Sequence, residues 1–379
     1  MNKYEKLEPH VFVTKLAGFE HSKYIQHNET RKKINKSDVP LVQGKNIRNG
    51  RFVENYDWYI DKRISDNLIR SKLNKRCILI PYVGSNLGEV GIFDHPYDCH
   101  MASNIAKVEL TDDYYDLDYL KYYFQSDIGQ AYLFQSKQGS AQPNITMEAI
   151  RNTMVIYREI AVQNKIVKVL KDIDKKIDYN TQISNNLEEL AYTIFLHDFA
   201  NKTANGIIGD IIVENEKSKV KVGDAKNIKG EYPFFTSGES ILEWNDYLVD
   251  GRNLFLNTGG NADVKFYVGK ATYSTDTWCI TSRNEMSDYL FLYLKSIKNE
   301  LDRKFFHGSG LKHLQKPLFK HEKIYVPNQE ELEIFNDKVQ KMFGLISANK
   351  IENKKLNSLK EYLLPLLMNG QINVDNIEI

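Results

Sequence analysis

The carboxylate pairs Asp112-Asp113 and Glu188-Glu189, the histidines His100, His307 and His313, and the glycine-rich stretch GSNLGEVG at 84–91 are the residues whose types could support catalysis. None has the spacing such chemistry needs. Asp112-Asp113 reads as an acidic turn and Glu188-Glu189 as part of a helix face, where paired carboxylates are ordinarily solvated charge. The histidines have no clustered partners, and a lone His is more often a polar contact than a metal ligand. The glycines do not follow a dinucleotide GxGxxG pattern, and the chain has no GxxxxGK phosphate loop, no HExxH and no GxSxG elbow. A tetrad for holding a flipped base, Asn/Asp-Pro-Pro-aromatic, is missing too, as is a nuclease Asp…Glu-x-Lys set. The chemistry left to the chain is recognition.

Recognition of a duplex needs Arg, Lys, Asn or Gln at base edges, and Lys, Arg, Ser, Thr or backbone N–H at phosphates. The loop GKNIRNGR supplies Lys45, Asn46, Arg48, Asn49 and Arg51. Ser85 and Asn86, then Gln138, Ser140, Gln142 and Asn144, add polar groups beside glycines that let backbone approach closely. The second half of the chain supplies Thr236, Ser237, Arg252, Asn257, Thr258, Asn261, Ser274 and Thr275, then Ser309, Lys312 and His313. The same Gly-Ser-Asn clusters also suit plain turns. The many Tyr and Phe residues are assigned to cores.

Such loops need a scaffold, and the sequence contains one twice. DYLKYYFQS begins at Asp118 and DYLFLYLKS begins at Asp288, 170 positions later. The Gly-Ser of QGSAQPNIT is matched by that of HGSGLKHLQ 169 positions on, and this offset holds for Ile166 and Phe335, Ile173 and Met342, Asn180 and Asn349, Leu187 and Leu356, and Leu190 and Leu359. Upstream, RCILIPYVG from Arg76 resembles RNLFLNTGG from Arg252. Each front part reads as α+β, with short apolar strands broken by Gly-Ser-Asn turns, then a helix, a Gly-Ser loop and a last strand. Each back part reads as one helix, from Ala161 to about Phe199 and from about Gln329 to Met368, ended in the second copy by Asn369-Gly370. A helix of that length spans ~60 Å at 1.5 Å per residue.

Apolar residues in both helices recur at coiled-coil spacing, so the two are expected to pair antiparallel and bury their stripes on each other. Ile166, Ile173, Asn180, Leu187, Leu190, Met342, Asn349, Leu356 and Leu359 are assigned to helix pairing and partner docking, with Ile183 and Leu345 on the same seams. Asn180 and Asn349 interrupt the two seams at the same place, so their amides are expected to meet at the middle of the pair. The chain divides into recognition domains at 1–158 and 201–326 and helical segments at 159–200 and 327–379.

Composition sets the outer limits. At 379 residues, 42% hydrophobic and 27% charged, the chain matches a soluble protein of two or three domains. No stretch approaches the ~20 apolar residues of a membrane span, and MNKYEKLEPH has no signal core. Cys77, Cys99 and Cys279 lie far apart, which favours a reducing cytoplasm over a disulfide framework or a zinc site. A net charge of +1 confines any nucleic-acid attraction to local patches.

With IAVQNKIVKVLKDIDKKIDYNTQISNNLEELAYTIF from Ile160, KIENKKLNSLKEYLLPLLMNGQINV from Lys350 and the two Gly-Ser loops in this order, the chain resembles, over nearly all its length, the specificity subunit of type I restriction-modification systems. The resemblance implies two target recognition domains, each reading half of a split double-stranded DNA site. It implies two long helices that set their spacing and dock methyltransferase subunits, two of them, with restriction motor-nuclease subunits joining. S-adenosylmethionine would come with the methyltransferase. This chain would bind no cofactor or metal and catalyse nothing. A methylation-only system is the nearest variant, and a coiled-coil scaffold with two protein-binding domains is the alternative from another class.

Overall fold

Neighbouring apolar residues in a strand point to opposite faces, so a strand buried along its whole length must be covered on both sides. Cys77–Pro81 is such a strand. Its Ile78 and Ile80 join a core with Val11, Val13, Ala106 and Val108, while Cys77 and Leu79 join another with Val42, Phe93, Cys99 and Met101. The computed structural model from which this is read describes residues 3–26, 33–135, 144–308, 310–372 and 374. The chain forms two compact units, Met1–Lys175 with Leu356–Ile379, and Lys176–Lys355. Each long helix is therefore shared between the units, because each front packs the helical residues nearest to it into its own core.

In the first unit an antiparallel sheet runs in the order Val11–Lys15, Ile105–Leu110, Cys77–Pro81, Gly91–Phe93. One face packs on helices and the other on a second sheet, in which Val39–Val42 lies parallel to Cys99–Met101. The helix Leu117–Gln125 starts where the Asp116 carboxylate accepts the Tyr119 amide (3.0 Å), and Asp127–Leu133 starts on Ser126. Gly129 permits the tight corner between them: a Cβ there would lie 2.0 Å from the Tyr123 carbonyl oxygen.

The second unit repeats this plan. Its antiparallel sheet runs Ile212–Glu214, Thr277–Ser282, Arg252–Asn257, Val264–Val268, and in its second sheet Tyr232–Phe235 lies parallel to Thr272–Tyr273. The faces divide the same way, with Leu254, Leu256 and Ile280 in one core and Phe255, Cys279 and Tyr273 in the other. The fronts are one α+β fold. The first carries an added hairpin, Ile47–Arg48 with Arg51–Phe52, turned by Asn49 and Gly50 at φ 53° and 71°, the left-handed pair a two-residue hairpin demands.

The helices Ile160–Phe199 and Gln329–Met368 are 40 residues each. In the first unit Ile166, Val167 and Leu170 pack with Leu364, Leu367 and Met368. In the second, Ala191, Phe195 and Phe199 pack with Leu332, Phe335 and Val339. Early residues of one helix thus meet late residues of the other, which makes the pairing antiparallel in both units. Leu190 and Leu359, like Ile183 and Leu345, are exposed and do not lie in this seam. The buried row moves instead through Ile173, Ile177 and Asn180 to Ala191 and Phe195. Leu187, Met342 and Leu356 are half-buried beside it.

Candidate nucleic-acid interface

The fronts are fixed to their helices by a contact present in both copies. Arg76, just ahead of its strand, donates to the Asp118 carboxylate at 2.6 Å, and Arg252, opening the equivalent strand, donates to Asp288 at 2.5 Å. Arg252 also reaches the Gln340 carbonyl of the long helix at 2.9 Å. Asp288 is fully buried, its Oδ2 has no partner among the described residues, and burial pushes its carboxyl up to about 6 against the pull of Arg252. Tyr119 and Tyr289, one position after each aspartate, both donate to a backbone carbonyl in the segment that leads into the long helix, Ile156 and Tyr325 respectively. Arg252 is therefore engaged in fastening the front to its helix.

At one end of each sheet the loops converge on a shared backbone frame. In the first unit the Tyr82 amide donates to the Asn104 carbonyl (3.1 Å), the Ile145 amide to the Tyr82 carbonyl (3.0 Å) and the Ala102 amide to the Val42 carbonyl (2.8 Å). In the second unit Thr258 donates to Asp276 (3.2 Å), Leu314 to Thr258 (3.0 Å) and Ser274 to Phe235 (2.9 Å). Two residues beyond Tyr82 and Thr258 come Gly84 and Gly260, both with positive φ (102° and 79°). The frame carries Ser85 and Asn144 on the two loops it joins in the first unit, and Asn261 and His313 on the equivalent loops of the second, and all four are exposed. Lys15 sits over the Tyr82 ring at 4.8 Å, at this same end.

Many of the polar residues singled out in the sequence are occupied elsewhere. Asn46 is buried and spends its amide on Gln43, Val53 and Asn55. Asn49 forms the hairpin turn. Arg51 is tied to Asp174 of the long helix, and Asn86 holds the Ile47 carbonyl at 2.8 Å. Thr236 and Ser274 are buried in turn hydrogen bonds to Ser240 and Thr277, and buried Asn257 donates to the Asn261 carbonyl. Ser237 and Thr258 both donate to the Asp276 carbonyl. Lys45, half-buried, and Lys312, exposed, are paired with Asp57 and Asp302. Arg48 is exposed on the hairpin, and the Thr275 amide is held by the Val220 carbonyl. Gln138, Ser140, Gln142 and Ser309 lie outside the described residues. Sequence reasoning missed Asn104 and Asp276, whose carbonyls anchor the frame in each unit; they lie 172 positions apart, which matches neither the 176 between Arg76 and Arg252 nor the 169 of the helices, so no repeat offset pointed to them.

In the second unit the long helices meet through a polar layer. Asn349 Nδ2 donates to the Asn180 carbonyl (3.3 Å) and to Ser184 Oγ (3.2 Å), while Asn180 Nδ2 donates to Asn353 Oδ1 (3.0 Å) and Glu352 (2.7 Å). The two asparagines do meet. They meet side chain to backbone rather than amide to amide, because each amide finds a better partner one turn along the opposite helix. Ser184 and Asn353 are themselves repeat equivalents, so two of these bonds exchange when the helices are exchanged.

Two α+β units of one topology, each with the same loop frame at a sheet end and each packed on antiparallel helices, define a tandem recognition protein. The family model described as type I restriction modification DNA specificity domain matches residues 16–189 and again 204–361, and the chain belongs to this family. It is 22% identical over 392 residues to the type I restriction enzyme MjaIX specificity subunit of Methanocaldococcus jannaschii, covering 90% of this chain and 88% of that one. To the EcoDI specificity subunit of Escherichia coli it is 21% identical over 165 residues, 42% of this chain and 37% of that protein, so the match spans well under half of that relative. The crystal structure of a type I restriction-modification S subunit from M. genitalium shares the fold, with a TM-score of 0.58 at 13% identity over 97% of this chain and 96% of that one.

Proposed function

We propose that this chain is the DNA-reading subunit of a type I restriction-modification enzyme: each unit reads one half of a bipartite double-stranded target, and the paired helices dock the methyltransferase subunits. The observation that carries this is the family match occurring twice, on two units that share one topology and one loop frame. A two-part site calls for two like readers at a fixed spacing. The chain itself is non-catalytic and works in the cytoplasm; two methyltransferase subunits bring S-adenosylmethionine, and restriction subunits join the assembly. No helix among the described residues is long and apolar enough to cross a membrane.

Docking is supported by apolar residues that face outward on the central helix. Tyr179, Ile183 and Leu190 are all exposed at helical spacing, and an exposed apolar stripe marks a surface that something covers. Two measurements test the proposal. Cells carrying this subunit with its methyltransferase partner should acquire a methylated bipartite motif, detected by sequencing that reports modified bases; a methylome unchanged from that of cells with the methyltransferase alone would sink it. Replacing Ile183 and Leu190 by Asp should abolish co-purification of the methyltransferase while the circular dichroism of the chain stays unchanged. Undiminished co-purification would place the dock elsewhere.

A further inference from the structure

We propose that Ser85 with Asn144, and Asn261 with His313, are equivalent base-reading pairs that set which sequence each unit accepts; this rests on the DNA-reading function proposed above. Three backbone hydrogen bonds fix the loop frame identically in each, from Tyr82, Ile145 and Ala102 in one and from Thr258, Leu314 and Ser274 in the other. Register within the sheets agrees, since Ile105 faces Pro81 and Thr277 faces Asn257, which makes Tyr82 and Thr258 the next residues out. Ile145 and Leu314 anchor the other side of the frame, and Asn144 and His313 immediately precede them.

Within that frame most polar side chains serve the fold. Asn86, Asn257, Ser237 and Thr258 are bound to backbone carbonyls, and substituting them disturbs the loops themselves. Ser85, Asn144, Asn261 and His313 are exposed, and among the described residues the only one of these side chains that hydrogen-bonds is Ser85, whose hydroxyl donates to the neighbouring Asn86 carboxamide at 3.0 Å and not to the frame's backbone. Their side chains also differ between the copies, serine against asparagine at one position and asparagine against histidine at the other. Fixed backbone with changed donors and acceptors is what two readers of unlike half-sites require. Asn144 and Asn261 carry a carboxamide that can donate to and accept from the major-groove edge of adenine at once, and Ser85 and His313 offer single contacts of broader preference.

The test exchanges the side chains between copies in the assembled methyltransferase. The double variant Asn261→Ser with His313→Asn should change one half of the methylated motif and leave the other half and the spacer as they were. Ser85→Asn with Asn144→His should change only the opposite half. In binding, each double variant should lose roughly 10- to 100-fold of its preference for the wild-type duplex over an unrelated duplex, with affinity for the unrelated duplex kept. If both variants methylate the unchanged motif at the wild-type level, the four residues do not read bases. An equal fall in affinity for both duplexes also overturns the assignment, because it marks backbone contacts or lost folding. A wild-type complex that methylates no bipartite motif is a different failure, that of the DNA-reading function.

Discussion

His100 is wholly buried, with Ser65 Oγ 3.0 Å from Nδ1 and Ser71 Oγ 2.9 Å from Nε2. Burial, helped by the ammoniums of Lys107 and Lys72, pushes its imidazole down to about 3, so it stays neutral in the fold while an unfolded chain protonates near 6.5. The unfolded state therefore binds the extra proton, and stability falls as pH drops from that value toward 3. Between pH 7 and 4.5 the cost is about 2 to 3 kcal/mol. Urea unfolding at both pH values should show a smaller acid loss for His100→Gln than for the wild type; equal losses would remove His100 from the account. Gly129→Ala is expected to cost roughly 3 kcal/mol, because backbone must move to admit its methyl group. At this scale the sequence is least informative. It shows that Asn46 and Arg252 carry donors but not that those donors are already used, since the partners, Val53 and Asn55 for one and Asp288 for the other, come from the turn geometry and the fold.

The long helices were legible almost to their end residues, because forty residues with apolar spacing and, in the second copy, a closing Asn-Gly leave little room for another structure. Their seam was legible only in part. A strict seven-residue count drifts about 20° per heptad against a helix of 3.6 residues per turn, so a frame set at Ile166 has rotated away by Leu190. Packing follows the true helix, through Ala191, Phe195 and Phe199. The polar layer survived the drift because it lies mid-helix. Asn349→Ala should lower unfolding stability by about 1–2 kcal/mol, since Ser184 loses a partner in a part-buried layer. Replacing both Asn180 and Asn349 by Leu should recover that stability but broaden the register, visible as faster hydrogen exchange across 177–184. Exchange unchanged from wild type would show that apolar packing alone sets the register.

At the scale of the whole chain, the repeat hides a difference in how each front is joined to its helix. In the first unit Asp174 gathers Lys360 (2.7 Å), Tyr122 (2.7 Å) and Lys121 (3.3 Å). Burial pushes the Asp174 carboxyl up, but Lys121 and Lys360 more than offset this and hold it below its ordinary value. Its contribution is thus complete above the usual carboxylate range and is lost as pH falls through the lowered folded value. In the second unit the repeat equivalents of Lys121 and Asp174 are Phe291 and Phe343, which pack edge to face at 5.6 Å with Phe266 against both. Asp174→Ala should destabilise the first unit by about 3 kcal/mol, since it strands two partly buried ammoniums, and leave protection in the second unit unchanged. Hydrogen exchange followed by unit reads both; a uniform loss would mean the units do not unfold separately. Temperature should part them as well. Apolar attraction weakens on cooling, so chilling loosens the phenylalanine joint, while the charged joint has no such dependence on cold. A chain built from one repeated plan is then left with one end that responds to acid and one that responds to cold.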